Sequence, residues 1–241
     1  MIGYADEAEL GDSVETLAML DESECRALRD QVYRLQPHWV QRYPNLPMYS
    51  LGAALFTDAR LGDGHYEEAV ATYNPVLQEN FGLLYERLAR VLSARLGGPV
   101  AYAPDKGLPN FWIFLAHPAF TLLSPSVHAD LQYRQTDWAW AKSVSRPITF
   151  TLPLSLPRCG SGLNVWDLSV RRLDGAPKAE AARAFREANK RFIEYRLGHL
   201  ALQFGHLLHQ IATPTQLDDD DERMTFQGHG LFCDGVWQLY C

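Results

Sequence analysis

The chain has 241 residues, 47% hydrophobic and 21% charged, the balance of a globular protein able to bury a substantial core. Its 22 basic and 29 acidic residues leave a net charge of −7, and no Lys/Arg run is long enough to track a phosphate backbone, which excludes nucleic acid as an expected partner. Cys25, Cys159, Cys233 and Cys241 form no C-x-x-C pair, and no apolar run or basic leader points to a membrane or a secretory route, so the expectation is a cytoplasmic protein with reduced thiols.

The first hundred residues read mainly as helix. Asp21-Glu22-Ser23-Glu24 offers a helix start ahead of Ala27, Leu28, Val32 and Leu35, which recur at helical spacing. A longer helix is expected from Glu67 to Leu96, where Val70, Tyr73, Leu77, Phe81, Leu84, Leu88 and Val91 form a stripe that Gly97-Gly98 ends. This stripe is read as packing against a sheet, with no chemistry.

From about Phe111 the texture changes to short strands. Phe111 to Leu115, Pro147 to Leu154, Gly162 to Trp166, His199 to Phe204 and Arg223 to Leu231 carry the β-branched and aromatic residues of strands, with turn signals between them. Ala179 to Tyr195, rich in Ala, Arg, Glu and Lys, reads as a helix inserted between two of them. The acidic run Asp218 to Glu222 reads as a solvated loop. The expected organisation is therefore a single domain over 1–241, with a mainly helical buttress over 1–105. A mainly β, double-sheet core follows over 106–241, with a helical insert near 178–196.

The chemistry concentrates in the β half. His128-Ala129-Asp130 puts an imidazole and a carboxylate two residues apart, on one face of an extended chain. A second imidazole arrives much later, in Gly205-His206-Leu207-Leu208-His209. Two neutral imidazoles and one carboxylate on one face of an octahedron leave three metal positions open, the facial triad of non-haem iron(II) oxygenases. His209 is the preferred distal ligand, and His206 the second choice. Arg223 then opens a further strand, with Thr225 on the same face. A guanidinium is the side chain that grips a carboxylate bidentately inside a closed barrel, and the Thr225 hydroxyl adds a donor.

In these residues, His128-x-Asp130, Gly205-x-x-x-His209 and Arg223-x-Thr225, the chain resembles the 2-oxoglutarate- and iron(II)-dependent dioxygenase superfamily. The resemblance covers about the second half, Phe111 to Tyr240. It implies a double-stranded β-helix of jelly-roll type, buttressed by N-terminal helices. It implies Fe(II) held by His128, Asp130 and His209, and 2-oxoglutarate held by Arg223 and Thr225, with Asn164 a further contact. The reaction implied consumes O₂ and oxidises a small molecule or peptide, releasing succinate and CO₂. In halogenating relatives a small residue replaces the triad carboxylate and chloride takes its place, so Asp130 implies hydroxylation or desaturation.

Other polar residues read two ways. Gln132, Tyr133 and Trp138 are expected to line the substrate mouth, with Trp138 and Trp140 in a loop over the site, although Gln and Tyr also pair across sheets for structural reasons. His117, His199 and His229 are read as hydrogen-bonded core or supporting residues. Two rival functions remain at this stage: a non-catalytic jelly-roll binding module, and a zinc hydrolase, which leaves Arg223 unexplained.

Overall fold

The computed structural model describes residues 3–4, 11–136, 138 and 143–241. In chain order its strands are β1 (Gly3–Tyr4), β2 (Ser13–Ala18), β3 (Val40–Tyr43), β4 (Leu46–Leu51), β5 (Val100–Tyr102), β6 (Asn110–Leu115), β7 (Ser143–Ser155), β8 (Gly162–Ser169), β9 (Lys190–Glu194), β10 (His199–Phe204), β11 (Leu207–Ile211), β12 (Glu222–Cys233) and β13 (Val236–Tyr240). The helices are α1 (Glu22–Arg34), α2 (Leu55–Asp58), α3 (His65–Leu96), α4 (Ala119–Leu122) and α5 (Lys178–Glu187). None of the described helices is long and apolar enough to cross a membrane.

Two sheets face each other in a jelly-roll arrangement. The larger runs β2-β10-β7-β12-β6-β4-β3, with β1 on β7, β13 on β12 and β5 on β13; the smaller runs β11-β8-β9. Alternation along the central strands of the large sheet decides what each face does. Ile148, Phe150 and Leu152 of β7, Phe111 and Ile113 of β6, and Met224 and Phe226 of β12 point to one side. There they pack against Cys25 and Val32 of α1 and against Leu77, Phe81, Leu84, Leu88 and Leu92 of α3, forming the main core. The intervening residues, Thr149, Thr151, Trp112, Phe114, Arg223, Gln227 and His229, face the interior between the sheets, where they line a cavity.

The helix starts and stops follow local chemistry. Asp21 caps α1 through a reciprocal box: its carboxylate accepts from Glu24 N at 2.8 Å, and Glu24 Oε2 accepts from Asp21 N at 3.0 Å. The stripe expected from Glu67 to Leu96 lies within α3, which is kinked where Phe81 leaves helical geometry and which accommodates Pro75. Gly97, in the left-handed region at φ 69°, ends it.

Two expectations need correction. The segment 178–196 is not one helix: α5 stops at Glu187, and Lys190–Glu194 is an edge strand on β8, with Leu163 opposite Ile193. Edge pairing overrides the helix propensity of its charged residues, because Ile193 finds an apolar partner cluster with Leu163, Val165 and Tyr195. The first hundred residues also hold more than a buttress. β2 pairs with β10, and β4 with β6, so the N-terminal segment supplies strands to both ends of the large sheet.

Candidate metal centre and its cavity

The second turn of the chemistry begins at a single bridge. The extended segment around His128 bridges to the small sheet where His128 N donates to His209 O at 2.9 Å and His209 N donates to His128 O at 2.8 Å. The segment before it is tied down as well, since Gln210 Nε2 donates to Pro125 O at 2.6 Å and Thr213 Oγ1 donates to Leu123 O at 3.1 Å. Alternation then places Val127 and Ala129 against the Trp166, Leu168 and Leu208 cluster, and turns His128 and Asp130 toward His209.

His128, Asp130 and His209 bring one ligand atom each to within 4.8 Å of one another. His209 Nε2 lies 3.4 Å from Asp130 Oδ2, and His128 Nε2 lies 3.9 Å from Asp130 Oδ1. The two imidazole rings are 4.6 Å apart. His209 is buried and Asp130 nearly so, whereas 43% of the His128 side chain is exposed, on the open side.

The far sides of both rings are held by backbone. His128 Nδ1 is 3.0 Å from Ser126 O, and His209 Nδ1 is 3.0 Å from Leu207 O, so each Nδ1 carries the proton and each Nε2 presents its lone pair to the centre. Gln203 Nε2 backs the same carbonyl, 3.4 Å from Leu207 O. Burial pushes the Asp130 carboxyl up, but the neighbouring His209, His229 and His128 and the hydrogen bond from Gln132 Nε2 outweigh it, holding the group well below the usual carboxylate range. Burial lowers the His209 pKa, against the opposing pull of Asp130. Two imidazole nitrogens and a carboxylate facing one point are donors that suit a divalent metal such as iron(II).

Arg223 lies on the same cavity. It is buried, its guanidinium sits 5.1 Å over the Phe114 ring and 5.6 Å from that of Tyr195, and its Nε has no hydrogen-bond partner. No carboxylate forms an ion pair with it among the described residues. Its neighbour Glu222 is engaged elsewhere, by Arg29 and Tyr33. A buried cation lacking a counter-anion is a costly arrangement unless a ligand supplies one. The donor set and the orphaned Nε thus fit a carboxylate arriving from the cavity.

The remaining expected residues divide. Gln132 lines the cavity and donates to Asp130 Oδ1 at 3.0 Å. Thr225 lies on the inward face of β12 but is fully buried and donates to Gln227 Oε1 at 3.5 Å, so Gln227, not Thr225, reaches the cavity. Asn164 is turned away. Leu163 faces the cavity, while Asn164, on the outer face with Trp166, donates to Gln210 Oε1 at 3.3 Å. The stacking of Trp166 on Phe185 of α5, centroids 5.3 Å apart, fixes that face outward.

Tyr133 and Trp138 are likewise drawn from the mouth into a buried cluster. The Tyr133 hydroxyl meets His206 Nε2 at 2.9 Å, and Trp138 Nε1 donates to Tyr133 O at 2.8 Å while its ring packs edge-on to Tyr240. His206, the second choice for the metal, makes that contact and is not part of the His128, Asp130 and His209 cluster. Trp140 lies outside the described residues.

Sequence reasoning missed Tyr195, Thr149, Thr151 and Gln227, and set aside His229, all of which line the cavity. Period-two alternation from Arg223 reaches Gln227 and His229, and the two threonines alternate with core residues of β7, so the signal was present in the strand pattern.

The cavity holds about 710 Å³. Beyond the His128, Asp130 and His209 cluster and the polar residues named above, its walls are apolar and aromatic, with Met48, Phe56, Trp112, Phe114 and Phe120 prominent.

No protein-family model matches the sequence, and no curated protein does. Solved structures do match in fold. An N-substituted L-amino acid dioxygenase from Burkholderia ambifaria, solved with α-ketoglutarate, aligns over 95% of this chain and 86% of its own at 17% identity and a TM-score of 0.55. The α-ketoglutarate-dependent carbocyclase SnoK of nogalamycin biosynthesis aligns over 99% and 89% at 14% identity and TM-score 0.56. The epimerase SnoN, solved with Fe³⁺, α-ketoglutarate and nogalamycin RO, aligns over 95% and 82% at 14% identity and TM-score 0.52. The chain has the jelly-roll fold of the iron- and 2-oxoglutarate-dependent oxygenases.

Proposed function

We infer that the chain is a 2-oxoglutarate-dependent iron(II) oxygenase acting on a small molecule. The observation that carries this reading is the pairing, on one cavity, of the His128, Asp130 and His209 cluster with a buried Arg223 that lacks a counter-anion. When bound, iron(II) with 2-oxoglutarate supplies the oxidising chemistry, in which O₂ and the 2-oxo acid are consumed, succinate and CO₂ are released, and a substrate C–H bond is oxidised.

The chain's own groups bind and orient. His128 and His209, through Nε2, and Asp130, through a carboxylate oxygen, would hold the metal. Arg223 takes the far carboxylate of 2-oxoglutarate, with Tyr195 and Thr151 beside it. Phe114 and Tyr195 flank the guanidinium and keep water from that end, which strengthens the ion pair. With Asp130 among the groups that would hold the metal, the expected product gains oxygen or loses two hydrogens and carries no halogen.

Proton NMR of the purified protein with Fe(II), 2-oxoglutarate and O₂ tests this. The expected result is oxygen-dependent conversion of 2-oxoglutarate to succinate, absent in His209→Ala. Binding of 2-oxoglutarate with no succinate under any substrate would favour a non-catalytic binding module instead.

A further inference from the structure

The cavity's charge inventory narrows the substrate. Among its described lining residues Arg223 is the one Lys or Arg, and on the reading above, on which this inference rests, 2-oxoglutarate takes it. The acidic groups on the lining are also committed. Asp130 belongs to the metal cluster, Asp221 accepts from Arg158 N at 3.1 Å and Asp218 N at 2.8 Å, and Glu222 is held by Arg29 and Tyr33. Among the described lining residues a substrate carboxylate or phosphate therefore meets no free cation, and a substrate ammonium no free carboxylate.

The wall that remains is apolar. Pairing of β12 with β6, and of β6 with β4, sets Trp112, Phe114 and Met48 side by side next to Arg223, and Phe56 and Tyr43 extend this surface to an exposed rim. Tyr43 is 48% exposed and Phe56 41% exposed, and the Arg60 guanidinium stacks 3.7 Å from the centre of the Phe56 ring without itself lining the cavity. The volume of about 710 Å³ falls in the range of about 300–1,000 Å³ that holds drug-sized ligands. Deeper in, Thr149 Oγ1 meets His229 Nδ1 at 3.2 Å, which leaves His229 Nε2, with the Gln227 amide, to hydrogen-bond a neutral polar group.

We propose that the substrate is an uncharged, mainly apolar ring-bearing molecule, seated on the Trp112, Phe114 and Met48 wall, with a neutral oxygen function directed to Gln227 and His229. Burying an ion there without a partner carries a desolvation cost that a neutral group of equal shape avoids.

Three probes of one shape test it: 2-naphthylmethanol, 2-naphthoate and 2-naphthylmethylammonium. Each is titrated anaerobically into protein loaded with Mn(II) and 2-oxoglutarate, and binding is followed by the fluorescence of Trp112, assigned with Trp112→Phe. The alcohol is expected to bind at least tenfold more tightly than either ion. Equal or tighter binding of an ion, or binding of none of the three, overturns the proposal. In Phe56→Arg, at the half-exposed rim, naphthoate should gain at least fivefold, and no gain would overturn the placement of substrate at that entrance. Calorimetry of 2-oxoglutarate on the same samples separates the two readings. If 2-oxoglutarate fails to bind while the alcohol keeps its preference, the co-substrate assignment falls and the neutral specificity stands.

Discussion

His128 and His209 exchange both of their backbone hydrogen bonds, at 2.9 and 2.8 Å, although they stand far apart in the chain. The spacing of the two rings is thus anchored by backbone on both sides, so the cluster with Asp130 is held in place by the fold itself. Gln210→Ala removes the stitch from β11 to Pro125 that holds the His128 segment in place. It should weaken Mn(II) binding about tenfold, the lower end of what supporting residues contribute, while calorimetry still gives one site. An unchanged affinity would mean that the single bridge suffices.

The lone cation makes Arg223 a stability liability in the absence of ligand. Arg223→Met should leave the ligand-free protein as stable or more stable, by about 1–3 kcal/mol in denaturant unfolding, as when buried charges are replaced by apolar groups of similar size. The same variant should show no further stabilisation by 2-oxoglutarate. A large loss of stability would indicate a partner for Arg223 within the protein.

The turn that delivers His209 depends on Gly205. At φ 74° it is left-handed, and a Cβ there would lie 1.9 Å from Asp12 Oδ1, the atom that accepts from His206 N. Gly205→Ala should destabilise the protein by about 1–3 kcal/mol and lower metal affinity with it, measured by thermal unfolding and Mn(II) titration. Equal stability would mean that Asp12 moves freely.

His206 gives a pH signature. Burial, then Arg171 and Arg134, depress its pKa from 6.5 to about 4. The unfolded chain therefore binds the proton that the folded chain refuses between those values. Stability is greatest above about 6.5 and falls as pH drops, with the full loss reached below about 4 and of the order of 3 kcal/mol. His206→Gln, which can keep a hydrogen bond to Tyr133, should flatten this part of the profile in urea unfolding at pH 7 and pH 4.5. An unaltered slope would assign the acid sensitivity to other groups.

The clustering of His128, Asp130 and His209, and the place of Arg223 on the cavity, were legible in the sequence because period-two spacing in His128-x-Asp130 and Arg223-x-Thr225 fixes which residues share a face, whatever the tertiary packing. What such spacing leaves open is which face looks inward. For β12 the inward choice put Arg223 on the cavity. For β8 it put Asn164 outside, because Trp166 stacks on a helix that no local pattern connects to it. Tyr133 and Trp138 were misplaced for a similar reason, since their partners His206 and Tyr240 come from distant turns and strands. Edge strands β2 and β9 were hidden by their polar residues, Ser13, Glu15 and Thr16 in one and Lys190, Arg191 and Glu194 in the other, which a sheet margin tolerates and a helix surface equally well.

The central claim, that one cavity holds a metal on His128, Asp130 and His209 and a 2-oxo acid on Arg223, is tested most directly by calorimetric titration of 2-oxoglutarate into the Mn(II)-loaded protein. The account predicts a single site, at least tenfold weaker without metal, and lost in both Asp130→Ala and Arg223→Met, with Arg223→Met still binding Mn(II) as the parent protein does. Binding of 2-oxoglutarate that is unchanged in either variant would contradict it.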